Sequence, residues 1–347
     1  MDRDRLQEAA RRIAAWFSEN GRALPWREDP ANPYHVWISE IMLQQTRIEA
    51  VIPYYKRFLE RLPGIDALAE CPEEELLKLW EGLGYYSRAR NLKKAAQAAV
   101  QNFGGSLPQT AAQLRSLPGI GDYTAGAIAS IAFGEAESAV DGNVLRVLAR
   151  LNADSRDVLD PRVKREASDA LRAVYPSGRE AGLLTQGLME LGEVLCLPNA
   201  QPLCGACPCA DICLAHMRRE ETAYPLRSPR KERRVEEKTI FLLRCEGLYA
   251  LRKRPEKGLL AGLWEFPASE GFLSEEEALA WAFTQGLEPT GIEPLPVSKH
   301  LFTHVEWRMK GWRIECRTQT DGFVWDYPED IQKNYSIPTA FKAYKEF

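Results

Sequence analysis

Two carboxylates stand in unlike settings in this chain. Glu40 lies inside the run His35-Val36-Trp37-Ile38-Ser39-Glu40-Ile41-Met42-Leu43-Gln44-Gln45-Thr46. A carboxylate among Trp, Ile, Met and Leu is costly to keep ionised, so its pKa should rise into the range of a general acid. The same pattern also reads as a two-sided helix with Glu40 at the surface. Asp141 sits in Val140-Asp141-Gly142-Asn143-Val144, just ahead of Val144, Leu148 and Leu151 at helical spacing. That is an N-cap position, where backbone N–H groups and the helix dipole hold a carboxylate ionised. A neutral acid and an ionised carboxylate are the pair that a reaction through a sugar cation requires.

Between them lies Leu117-Pro118-Gly119-Ile120-Gly121. Two glycines one residue apart allow positive φ and close approach to a ligand. Asp122-Tyr123-Thr124 then opens a helix, with Asp122 as the expected N-cap, and its bared N–H groups could take a phosphate. A plain helix–turn–helix corner explains the glycines equally well. Further on, Cys196, Cys204, Cys207, Cys209 and Cys213 crowd one short stretch. Such a concentration reads as a metal site, with zinc and iron–sulfur both open.

The elements that must hold these groups are helical at first. Arg5–Phe17 is amphipathic, with Leu6, Ile13, Ala14 and Phe17 on one side. Arg22-Ala23-Leu24-Pro25-Trp26-Arg27 and a polar loop precede the Glu40 run. Thr46-Arg47-Ile48-Glu49 has the form of a capping box, which leaves Gln45 at a break between helices. Leu83-Gly84-Tyr85-Tyr86, followed by Arg88 and Arg90, is a loop whose aromatics could wedge between bases while the arginines hold phosphates; a buried Tyr pair with solvated arginines is the other reading. A helix over Gly182–Leu195 carries Gln186 and Glu190 into the cysteines. Residues 218–238 form a basic, proline-containing linker. Beyond it the period becomes that of strands, with Glu246-Gly247 as a hairpin turn.

The totals are compatible with this division. A chain of 347 residues, 45% hydrophobic and 27% charged, can build two cores. The net charge of −4 advertises no global basic field, although DNA binding needs only a basic face. No signal peptide or membrane-length apolar run appears, which points to an intracellular protein of the cytoplasm or nucleoid. Eight cysteines in that compartment favour metal or free thiols over disulfides.

LPGIGDYTAG followed by VDGNV resembles the helix-hairpin-helix plus Asp motif of the endonuclease III superfamily of DNA glycosylases. Members that also cut the strand carry a nucleophilic Lys where this chain has Tyr123. The Tyr, and the stretch WxSExMLQQT around Glu40, are similar to the MutY family of adenine glycosylases, which only remove a base. The resemblance implies that Glu40 and Asp141 are the catalytic pair, positioned by Tyr123 and Asn143. It implies an adenine pocket of Arg22, Trp26, Arg27, Leu43 and Glu190. It assigns DNA contacts to Gln45, Thr46, Leu83, Gly84, Tyr85, Arg88, Gly119 and Gly121, with Gln45 inserted into the base stack and Tyr85 as the wedge on the opposite strand. The family's C-x6-C-x2-C-x5-C pattern holds a [4Fe–4S] cluster; Cys204, Cys207 and Cys213 match it. Cys196 stands one residue farther from Cys204 than the pattern has it, and Cys209 is an extra thiol.

Leu259-Leu260-Ala261-Gly262-Leu263-Trp264-Glu265-Phe266-Pro267 is similar to the family's Nudix-like C-terminal domain. A working Nudix hydrolase needs a REUxEExGU helix, and Trp281-Ala282-Phe283-Thr284-Gln285 ahead of Gly286 lacks its acidic pair. This implies recognition without hydrolysis. Phe302-Thr303-His304 falls where the family has Phe-Ser-His and reads 8-oxoguanine. The expected architecture is therefore a helical glycosylase domain over 1–217, a linker over 218–238 and an α+β recognition domain over 239–347. The implied protein is a monomeric, monofunctional DNA repair enzyme that removes adenine opposite 8-oxoguanine or guanine in double-stranded DNA. The rival is an endonuclease III-like glycosylase that also cleaves the strand; it would need a Lys at position 123 and would lack the second domain.

Overall fold

A computed structural model describes residues 1–229 and 232–345. The chain divides into two compact units: Met1–Glu70 with Asn91–Pro229, and Cys71–Arg90 with Arg230–Phe347. The second unit thus takes in Cys71–Arg90, which the sequence reading counted with the helical domain. Within that unit Lys78 donates to the Tyr335 carbonyl (3.1 Å) and Lys345 bonds Glu81 (2.7 Å), pairings about 260 residues apart that no local pattern announces. Within the expected linker, 218–238, Glu221–Ala223 forms a short 3-10 turn and a strand begins at Arg234. Its Arg230 and Lys231 lie outside the described residues.

The first unit is built from helices. In chain order they are α1 (Arg3–Asn20), α2 (Pro33–Leu43), α3 (Ile48–Arg61), α4 (Ile65–Glu70), then, after α5 (Glu73–Leu79) of the second unit, α6 (Ser87–Phe103), α7 (Ala111–Leu114), α8 (Asp122–Phe133), α9 (Gly142–Asn152), α10 (Pro161–Arg172), α11 (Arg179–Val194) and α12 (Leu214–Met217). The first turn of α6 belongs to the second unit and the remainder to the first. One core joins the apolar faces of α1, α9 and α11, including Leu6, Ile13, Val144, Leu148, Leu184, Leu188 and Leu191. Helices α2 and α8 are apolar nearly all round, and each buries seven or more residues. A helix of that kind must be enclosed by others, and these two pack on each other.

The second unit has a mixed sheet in the order β3-β2-β1-β6-β5, with β4 on β1 and β7 on β2. The strands are β1 (Arg234–Cys245), β2 (Leu248–Lys253), β3 (Trp264–Glu265), β4 (Ala268–Glu270), β5 (Pro289–Leu301), β6 (Val305–Cys316) and β7 (Val324–Asp326); α13 (Glu275–Thr284) and α14 (Pro328–Asn334) complete the unit. β1 and β6 run parallel, and the other pairs are antiparallel. Successive residues of β1 enter opposite cores: Ile240 and Leu242 meet Phe266, Trp307 and Phe341, whereas Phe241 and Leu243 meet Ala278, Ala282 and Ile314. That is the period-2 signature of a strand covered on both faces. The Glu246-Gly247 turn has positive φ at both residues, as a two-residue hairpin demands.

Among the described residues no helix is long and apolar enough to cross a membrane.

Candidate functional site

Glu40 lies at the start of the last turn of α2 and is buried there at 6% exposure. Its neighbours Trp37, Ile38, Ile41 and Met42 are buried too, so the surface reading of this helix does not hold. The Tyr123 hydroxyl, on the first turn of α8, donates to Glu40 Oε2 at 2.7 Å. Burial pushes the Glu40 carboxyl up to about 7, with the Tyr123 hydrogen bond opposing and the nearby Asp141 adding to the rise. The Tyr123 phenol is itself driven well above its ordinary range by burial and by Glu40, so it stays a donor.

Asp141 caps α9 as its position predicts: Oδ1 accepts the Val144 N–H at 2.8 Å. Its carboxyl is nonetheless raised above the usual range, because burial outweighs the hydrogen bonds from Val144 and Asn143. The contrast with Glu40 is therefore one of degree, both being lifted, rather than the opposition expected from a cap alone. Asn143 accepts from Arg146 (2.9 Å), whose buried guanidinium also reaches the carbonyls of Gly192 (2.7 Å) and Cys196 (2.8 Å).

Glu40, Tyr123, Asp141 and Asn143 line one cleft of about 650 Å³. Arg22, Trp26, Arg27, Leu43 and Glu190 line the same cleft, as do Gln45, Thr46, Gly119 and Gly121. Glu190 is only 2% exposed and lies in a clamp: Arg22 Nε reaches Oε1 at 2.6 Å and Arg27 reaches Oε2 at 2.8 Å. Burial would raise its carboxyl, but the two guanidinium groups win and hold it near 2. The cleft thus carries one carboxyl neutral at mildly acid pH and one fixed as an anion. Sequence reasoning missed Met189, whose Sδ lies 3.6 Å from the Tyr123 hydroxyl, and the Gln44–Thr124 hydrogen bond (3.3 Å) that ties α2 to α8 beside Tyr123. Met189 precedes Glu190 on α11, and Gln44 and Thr124 adjoin residues already singled out; only the fold brings them together.

Several local expectations are corrected. Asp122 does not cap α8; Gly121 does, and Asp122 stands exposed in the first turn, ion-paired with Arg115 at 2.8 Å. Only Gly119 uses positive φ (+78°), and a Cβ there would fall 2.6 Å from Asn91 Cβ. Gly121 is extended, with open space beside it. The capping box at Thr46 is absent: Arg47 is the N-cap of α3, and no side chain caps that helix. The break before it is real, with Gln45 exposed at φ +59°.

In the second unit Tyr85 is 47% exposed at φ +47°, between Leu83 and Tyr86, both buried. Arg88 does not reach into solvent for phosphates. It is 8% exposed, lies over the rings of Trp80 and Tyr85, and donates to the carbonyls of Leu83 (3.1 Å) and Gly84 (3.2 Å). Its work is to shape the turn that presents Tyr85. Leu83 likewise turns its side chain inward. Arg90 is held by Glu73 at 2.8 Å. Phe302-Thr303-His304 forms the turn between β5 and β6, and the hydroxyls of Thr303 and Tyr85 lie 3.2 Å apart. Both border a cavity of about 750 Å³ within this unit. The only acids of α13 are Glu275, Glu276 and Glu277 in its first turn, where Glu277 is spent in a capping box with Ser274.

The thiols of Cys196, Cys204, Cys207, Cys209 and Cys213 line one internal cavity of the first unit, and all are free. Arg150 donates to Cys196 Sγ at 3.2 Å. Cys209 differs from the rest: it is 4% exposed and packed into the core of α1, α9 and α11. No three of these sulfurs belong to a set of donors within 4.8 Å of one another, among the described residues. Thiols spread around a cavity in this way fit a multi-iron cluster better than a single ion.

Known proteins resemble this chain. Residues 38–173 match the HhH-GPD superfamily of base excision DNA repair proteins, and residues 239–346 match the NUDIX domain. The adenine DNA glycosylase of Rattus norvegicus is 33% identical, over 97% of this chain and 78% of its own. That of Homo sapiens is 34% identical over 95% of this chain and 72% of its own. Among solved structures, a trapped endonuclease III–DNA covalent intermediate superposes with a TM-score of 0.53 at 26% identity, covering 63% of this chain and 99% of that one.

Proposed function

The chain belongs to the adenine DNA glycosylases, and on that premise we propose that its target is adenine mispaired with 8-oxoguanine or guanine, hydrolysed from the sugar by Glu40 and Asp141. It is a monofunctional DNA glycosylase that acts in base excision repair, and it binds DNA as its substrate. A base inside a duplex is out of reach, so the adenine is extruded into the cleft. Arg22, Trp26, Arg27, Leu43 and the fixed anion Glu190 receive it. Gln45 inserts into the base stack, Tyr85 is the wedge on the strand opposite the target base, and Thr46, Gly84, Gly119 and Gly121 contact the DNA.

Glu40, neutral at the start, gives its proton to N7 of adenine. The C1′–N9 bond breaks, and its electron pair leaves with the now neutral base. The sugar becomes an oxocarbenium ion facing the Asp141 carboxylate, which bonds C1′ transiently in the manner of a retaining glycosidase. Water then displaces that carboxylate and surrenders a proton to Glu40, which restores the acid. Tyr123 holds Glu40 in place throughout, and Asn143 holds the start of α9. With no Lys at position 123, the strand is left whole at an abasic site.

A single observation supports this most: one cleft contains a carboxyl raised to about 7, its hydroxyl donor at 2.7 Å, and a second carboxyl at a helix N-terminus. Cys196, Cys204, Cys207 and Cys213 would hold a [4Fe–4S] cluster, which supplies no chemistry to the excision and pins the loop they sit on. Thr303, between Phe302 and His304, would read the base opposite the adenine. The test is a duplex with one adenine opposite 8-oxoguanine, followed by hot alkali. Strand breakage only after alkali is expected; breakage without alkali, with a borohydride-trapped amine adduct, would overturn the reading.

A further inference from the structure

Downstream of the cysteines stand two residues that the excision does not use. His216 lies within the short helix α12, and Glu221 lies in the 3-10 turn that follows. His216 Nδ1 and Glu221 Oε1 are 2.6 Å apart. Glu221 is 8% exposed, an unusual burial for a carboxylate outside the cleft, and both residues line the cavity that holds the thiols. Donor atoms of Cys204, His216 and Glu221 lie within 4.8 Å of one another, the only such group of three among the described residues.

We propose that Cys204, His216 and Glu221 form a mononuclear zinc site, exclusive of the iron–sulfur cluster because both draw on Cys204. The argument is one of scale and donor type. A tetrahedral zinc ion binds nitrogen and oxygen at about 2.0 Å and sulfur at about 2.3 Å, so its donors stand roughly 3.3 to 3.8 Å apart. The triad needs only small movements to reach that spacing. The His216–Glu221 contact, 2.6 Å, opens by several tenths of an ångström as the metal enters between them. No other thiol among the described residues lies within 4.8 Å of all three donors, and the remaining thiols suit the larger cluster. One sulfur, one imidazole and one carboxylate is a borderline-soft set that zinc takes readily, with water in the fourth position. His216 is 40% exposed at its side chain, which leaves the ion an entry path. The loop therefore has two metal states, and zinc binding at Cys204 removes one of the four cluster ligands.

The full-length chain serves for the test, produced in iron-depleted medium containing zinc and, in parallel, in iron-replete medium. One zinc per chain is expected from the first and about four irons from the second. Replacement of zinc by Co²⁺ should give a thiolate-to-cobalt charge-transfer band. His216→Ala and Glu221→Gln should each weaken zinc binding at least tenfold, measured by competition with a chelator, while the iron-replete protein keeps its full iron content. That retained iron shows the variants are folded. Zinc held as tightly in both variants as in wild type would move the ion onto the cysteines alone and overturn the proposal. So would loss of iron together with zinc, which would make the pair structural. Absence of iron from the replete wild type would sink the cluster assignment and leave the zinc site standing, so the two readings fail separately.

Discussion

Burying Glu40 has a thermodynamic consequence that can be measured without DNA. Its carboxyl is raised from 4.5 to about 7, first by burial. Between those values the folded state binds more protons than the unfolded state, so stability falls as pH rises through that window. The gap, at about 1.36 kcal/mol per pH unit, amounts to about 3 kcal/mol of destabilisation once Glu40 is ionised. Glu40→Gln keeps the shape and an acceptor for Tyr123 but never ionises. The variant should therefore gain stability relative to wild type as pH rises, the difference widening by about 2.5 kcal/mol between pH 5 and pH 8. Urea unfolding followed by far-UV circular dichroism at the two pH values reads this directly, because that signal is dominated by helices. The same variant should bind a mismatched duplex and release no adenine. A stability difference that stays constant with pH, or that turns against the variant at pH 8, would refute the assignment of a strained acid at this position.

Excision under single-turnover conditions should fall about tenfold per pH unit above roughly 7, as Glu40 loses its proton. Tyr123→Phe removes a hydrogen bond that lowers the Glu40 carboxyl, so the falling limb should move to higher pH; a limb that stays put or moves to lower pH would break the link between the two residues. Cys207→Ser should abolish the iron content, whereas Cys209→Ser, in the core rather than among the ligands, should keep the iron and lower the unfolding midpoint; iron analysis and thermal melts separate the two, and iron lost from Cys209→Ser would mean the ligand set is wrong. Thr303→Ala should reduce the preference for adenine opposite 8-oxoguanine over adenine opposite guanine, with excision opposite guanine unchanged. An unchanged ratio would remove Thr303 from recognition. This point variant is preferable to cutting the chain after the linker, because Cys71–Arg90 packs with the C-terminal residues and would lose its partners.

What the sequence could reveal depended on how locally each feature is determined. The burial of Glu40 was legible because its own helix is apolar on every side, and the cap at Asp141 because an N-cap is a matter of three or four residues. The alternation of β1 was legible for the same reason. Features settled by where the backbone enters a helix were not. Asp122 looked like a cap, but the backbone enters α8 one residue earlier, and the freed carboxylate pairs with Arg115 instead. Thr46 and Glu49 have the right spacing for a capping box, yet the helix starts one residue later, with Arg47 as its N-cap and no side-chain cap. Spacing allowed these motifs, and backbone geometry decided otherwise.

Arg88 shows the same limit at the level of charge. An arginine beside an exposed tyrosine suggests a hand for phosphates. Here the guanidinium is drawn under the turn, where two carbonyls and two aromatic faces receive it. The Gly84 carbonyl also accepts the Trp80 indole N–H at 3.0 Å, and a buried carbonyl left unsatisfied costs as much as a lost hydrogen bond. The arginine thus helps satisfy the turn that displays Tyr85, and its charge is spent inside the protein. The pair His216 and Glu221 went unremarked for the converse reason. Five cysteines drew the reading toward sulfur, and a half-exposed histidine five residues from a glutamate has no motif of its own; only the fold brings their donor atoms onto Cys204.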